Sequence, residues 1–148
     1  MDDEGGGDYA LPSRGSRSME LFMSPAEAAQ AGLQEVAGFP DFNDIEYAGW
    51  IYKVDTVDGI RYGYTSPVTM NLARFSHPGV PVLERGDIAT YHNHPALPGY
   101  KTAGEIFSKQ DLSFGFDNYL GTARSGRIIF SPAGNGNRSG SNTGLRWR

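Results

Sequence analysis

Residues 87–95 read Asp87-Ile88-Ala89-Thr90-Tyr91-His92-Asn93-His94-Pro95. The run predicts a strand over Asp87–His92 that passes straight into the His-Pro turn. On an extended backbone residues i and i+2 point to the same side, so His92 and His94 converge at the strand's end. Pro95 forces the chain to turn there. A close pair of imidazoles is what a zinc ion needs from two of its ligands. A surface His-X-His has the same letters, so the flanking segments must decide.

Upstream, Ser24-Pro25-Ala26-Glu27 predicts a helix start: Ser24 can cap, Pro25 suits the first turn, and Glu27 can complete a capping box. Gly38 is its natural stop. Ile45–Val54 is rich in aromatic and β-branched residues and predicts a strand. Asp58-Gly59 turns the chain, and Ile60–Thr65 returns as a second strand. Pro67, Pro78 and Pro81 mark a long irregular crossing, with His77 read as a surface residue. Downstream, helical pattern resumes near Ser108, and Gly126–Phe130 predicts a final strand. Strands in hairpins mixed with helices give an α+β class, an α/β sandwich.

The chain has 148 residues, which suits one core. Lys plus Arg is 13 and Asp plus Glu is 17, a net charge of −4 that disfavours a protein gripping nucleic acid through phosphates. No apolar run is long enough to span a membrane, and the start Met1-Asp2-Asp3-Glu4 is the reverse of a signal peptide's basic end. With no cysteine, disulfides, thiolate metal sites and cysteine nucleophiles are excluded. Residues 1–20 read as a flexible leader, 21–132 as the folded domain, and 133–148 as a flexible, locally basic tail.

Two segments add chemistry to the histidines. Ser108-Lys109-Gln110-Asp111 puts a hydroxyl and a carboxylate one helical turn apart. Asp111 can serve as an oxygen ligand, completing two histidines and one carboxylate with a fourth position open, the layout of catalytic zinc. Ser-X-X-Asp is equally a helix cap, and the two roles are compatible. Glu46 stands at the margin of the first strand, where an acid is ordinarily just a strand end. Beside zinc, a glutamate is the usual general base.

Glu46-X-X-Gly49, His92-X-His94-Pro95 and Ser108-X-X-Asp111, in that order, resemble the signature of the JAB/MPN metalloproteases, often called JAMM. More narrowly, the stretch from about Phe22 to Pro132 resembles a bacterial domain family found at the C-termini of Rhs-type and other polymorphic toxins. The resemblance implies a JAB/MPN-like mixed β-sheet flanked by helices. It implies a zinc peptidase or isopeptidase in which His92, His94 and Asp111 hold Zn²⁺, Glu46 moves the proton and Ser108 donates to the oxyanion. Thr90 and Asn93 are candidates for hydrogen bonds that orient the ligands. A protein substrate, a cognate immunity protein, and delivery into a target cell's cytoplasm by a specialised secretion system follow from the same resemblance.

Two departures stand out. Sixteen residues separate His94 from Asp111, so Ala96–Phe107 must bulge, and Lys53 replaces a glycine of the familiar deubiquitinating members. Ubiquitin specificity is therefore not carried over. Loops of that length are often functional, and Tyr100 is the expected anchor for a substrate or partner. The competing readings are a metal-dependent nuclease toxin and a non-catalytic MPN-like binding scaffold. The nuclease reading suffers from the acidic balance and from the adjacency of His92, Asn93 and His94, which nuclease motifs spread along a ββα unit.

Overall fold

Ser24 accepts the Glu27 amide at 3.2 Å and starts helix α1 (Pro25–Ala37) with Pro25 in its first turn. Ala28, Ala29, Gly32, Leu33 and Val36 form the buried stripe of that helix. They pack on one face of a six-stranded sheet in a computed structural model that describes residues 14–69, 84–99, 101–113 and 115–148. The strands are β1 (Ala48–Thr56), β2 (Gly59–Tyr64), β3 (Asp87–Asn93), β4 (Asp117–Gly121), β5 (Arg127–Ser131) and β6 (Ser141–Arg146). Their order across the sheet is β2-β1-β3-β4-β5-β6. Neighbours are antiparallel except β3 and β4, which run parallel. The crossover between those two holds a short 3₁₀ turn (Ala103–Glu105) and helix α2 (Lys109–Ser113). This is a mixed α+β fold.

Register separates the two faces. Gly49 pairs with Tyr91 and Ile51 with Ala89, and Tyr91 pairs with Tyr119. These residues face α1, where Tyr91, Tyr119, Ile128, Leu33 and Trp147 share one buried cluster. Alternate residues face the other way: Ala48 pairs with His92, His92 with Leu120, and Leu120 with Ile129. Leu120 and Ile129 join Phe107 in a second cluster, with Leu112 of α2 against it. The histidines therefore lie on the face away from α1. Gly49 has a packing reason: a Cβ there would sit 2.5 Å from the Tyr91 ring, and one on Gly32 would sit 2.6 Å from it.

Several expectations are corrected. The tail 133–148 is not a loose end: its last part is β6, and Trp147 is only 2% exposed. Strand pairing with β5 and the burial of one large indole outweigh the poor strand propensity of Ser141-Asn142-Thr143-Gly144. Gly126–Phe130 is consequently not the final strand, and β4 went unread. Nor is the leader free throughout. The Ser18 amide donates to the Tyr64 carbonyl at 2.8 Å, Arg17 pairs with Thr65, and Arg14 binds Asp87 through two hydrogen bonds of 2.6 and 3.1 Å; just beyond, Phe22 pairs with Tyr62. The segment covers the outer edge of β2, which would otherwise expose unpaired backbone groups. Residues 1–13, His77 and Tyr100 lie outside the described residues. Among the described residues no helix is long and apolar enough to cross a membrane.

Candidate metal centre

Four buried side chains meet at the end of β3. His92 is the next-to-last residue of the strand, and His94 follows it two residues later, past the buried Asn93. Glu46 approaches from the residues leading into β1, and Asp111 from α2. Their exposures are 5% for Glu46, 4% for His92, 7% for His94 and 1% for Asp111. Glu46, His92 and His94 each offer a ligand atom within 4.8 Å of the other two. Asp111 Oδ2 lies 3.2 Å from His92 Nε2 and 3.1 Å from His94 Nε2.

Ser108 and Asp111 form a reciprocal cap at the start of α2. The Asp111 amide donates to Ser108 Oγ at 3.0 Å, and the Ser108 amide donates to Asp111 Oδ2 at 2.7 Å. The cap and the site share one carboxylate. It fixes the position of Oδ2 between the imidazoles and leaves the Ser108 hydroxyl proton available to an acceptor.

The proton count at this point is informative. His94 Nδ1 lies 3.0 Å from the Ala103 carbonyl, which can only accept, so Nδ1 carries a proton. With Nδ1 protonated, an Nε2 without a proton would turn its lone pair toward Asp111 Oδ2. Two lone pairs at 3.1 Å need a positive charge between or beside them, from a proton or from a cation. Of the four buried side-chain polar atoms without a hydrogen-bond partner among the described residues, three belong here: Glu46 Oε2, His92 Nε2 and Asp111 Oδ1. Buried polar atoms are almost always paired, so three orphans at one point mark a place for an ion. Two imidazoles and carboxylate oxygens suit a divalent cation, and Glu46, His92 and His94 together could hold one.

Burial separates the two acids. Desolvation, reinforced by the charge of Asp111, pushes the Glu46 carboxyl up to about 10. Burial would raise Asp111 as well, but His92 and His94 against it hold it well below the usual carboxylate range. One acid is thus set to carry a proton and the other to stay ionised.

Supporting bonds come from residues facing both ways. Asn93, fully buried, accepts the Tyr47 amide at 2.7 Å and donates to the Phe42 and Ile45 carbonyls at 3.1 and 3.2 Å. It clamps the backbone on both sides of Glu46. Thr90 donates to Asn118 at 2.6 Å, and Asn118 donates to the Asp111 carbonyl at 2.9 Å, tying α2 to the sheet. The Asn93→Ala variant leaves an amide and two carbonyls unpaired, each costing about 1–3 kcal/mol. Chemical denaturation should register a loss within or above that range, and hydrogen exchange at the Tyr47 amide should accelerate.

Of the residues singled out in the sequence, Glu46, His92, His94, Ser108 and Asp111 are brought together. Thr90 reaches Asp111 only by way of Asn118, and Asn93 bonds the backbone of the residues on either side of Glu46. Asn118 was missed, because nothing in Asp117-Asn118-Tyr119 signals a contact with α2. Compared with known proteins, the chain matches no family model, no curated protein and no solved structure.

Proposed function

We propose that this chain is a zinc-dependent peptidase or isopeptidase of JAB/MPN-like design, acting as the effector domain of a polymorphic, Rhs-type secreted protein. The observation that carries the reading is the meeting of three unpartnered buried atoms, Glu46 Oε2, His92 Nε2 and Asp111 Oδ1. Burying such groups with no partner is costly, which supports an ion bound among them. His92, His94 and Asp111 hold the ion, and Glu46 stands beside them. A zinc ion held there would supply Lewis acidity and would lower the pKa of water from about 15.7 toward 7.

The chain's own residues divide the remaining work. A cation in the site would offset the burial and the charge of Asp111 that keep Glu46 protonated, and the ionised Glu46 would then take a proton from the attacking water and return it to the leaving amine. Its burial keeps that proton away from bulk solvent. Ser108, held by the Asp111 amide, directs its O–H at the developing oxyanion. Asp111 stays ionised throughout, and the Ala103 carbonyl fixes the tautomer of His94. The substrate is a protein, the site of action is a target cell's cytoplasm, and a cognate immunity protein is the expected partner.

Expression of the chain in bacteria, followed by mapping of new protein N-termini and of released lysine side chains, tests the reading. A defined set of cleaved host proteins, lost when the chain carries His94→Ala, is the expected result. Cleaved nucleic acid with intact proteins would favour the nuclease alternative.

A further inference from the structure

The second feature of note lies at the turn between β4 and β5. Arg124, Arg127, Arg146 and Arg148 are all exposed and gather there. Arg127 and Arg146 are register partners, and Arg146 Nη2 donates to the Ser125 carbonyl at 2.7 Å. Arg127 Nε donates to Ser125 Oγ at 3.2 Å, and Arg124 Nη2 to the Leu97 carbonyl at 3.2 Å. Arg148 lies over the Phe42 and Trp147 rings, 5.4 and 5.2 Å from their centroids.

Each guanidinium is thus anchored while most of its five donors remain unused. Among the described residues no carboxylate lies within ion-pair distance of any of the four, whereas Arg14 and Arg17 on the far side are paired. The acid in their midst is Glu105, whose carboxylate accepts the backbone amides of Arg124 and Ser125 at 2.7 and 3.2 Å. Among the described side chains, four guanidiniums therefore surround one carboxylate, on a chain whose net charge is −4.

We infer that this arginine cluster is a docking surface for an acidic polypeptide segment. Anchored guanidiniums have little side-chain entropy left to lose, and they take carboxylates in bidentate fashion. Single-stranded nucleic acid is the less suitable occupant. Such sites add stacking aromatics to their positive charge, and no exposed large hydrophobic among the described residues is aromatic. The cluster also adjoins the metal centre. Arg124 holds Leu97, and Glu105 sits beside Ala103, whose carbonyl holds His94. An acidic segment seated here lies along the loop that frames the site, so the surface fits either substrate or inhibitory partner. Its existence does not depend on the chemistry proposed above.

Fluorescence anisotropy with labelled decaglutamate tests it, with labelled decathymidine as the comparison. The wild-type chain should bind decaglutamate the tighter of the two, and binding should weaken from about 50 to about 200 mM salt. The Arg124→Ala, Arg127→Ala double variant should bind roughly tenfold or more weakly. The Arg124→Lys, Arg127→Lys pair, which keeps the charge and loses the bidentate fork, should recover only part of the affinity, and Lys53→Ala should change nothing. Tighter binding of decathymidine, no binding of decaglutamate, or equal loss in Lys53→Ala would overturn the inference.

Discussion

Replacing Trp147 with alanine is expected to lower stability by about 3–5 kcal/mol, the usual loss for a buried tryptophan. The indole is 2% exposed, packs edge-on to Phe42 with centroids 5.8 Å apart, and donates to the Thr122 carbonyl at 3.0 Å. Its removal opens a void under α1 beside Leu33 and Gly121. Since domains carry only about 5–15 kcal/mol in total, the variant sits near the edge of folding. Thermal melting should fall by roughly 10–15 °C. An unchanged melt would return residues 133–148 to the status of a loose tail.

That residue also shows where sequence reading stops. Ser141–Arg146 holds Asn, Gly and Ser, residues depleted in strands, and becomes β6 because β5 offers a partner edge. Asp117–Gly121 fails for the same reason, and its parallel pairing with β3 spans a crossover that leaves no local mark. By contrast, α1 was legible because its cap, its proline and its small-residue stripe are all local. The same division runs through the site. His92 and His94 were legible from strand alternation, and Ser108 with Asp111 from helical spacing. Glu46 gained meaning only beside an expected zinc, since an acid at a strand margin is ordinarily solvated. The clamp by Asn93 could not be read, because its three partners lie about fifty residues upstream.

The second large effect is expected at Glu46. Glu46→Gln keeps the size of the side chain and removes its ability to exchange a proton, so cleavage should slow by about 10²–10⁴-fold. The fold should tolerate the change, because Glu46 Oε2 makes no hydrogen bond with the protein and the amide removes a buried acid. Rates are read on whichever host protein is found cleaved, with metal content measured on the same sample. Full metal with lost cleavage supports the role of proton carrier. Lost metal would make Glu46 a ligand, a role its position within 4.8 Å of both histidine ligand atoms also permits. Full cleavage would remove it from the mechanism.

All of this rests on a bound ion, and elemental analysis reaches that point most directly. Wild-type protein purified without added metal should contain close to one zinc per chain. His94→Ala, which removes an imidazole from the group, should contain almost none while still melting cooperatively. A wild-type chain free of divalent metal, or a His94→Ala chain that holds as much as wild type, would contradict the account.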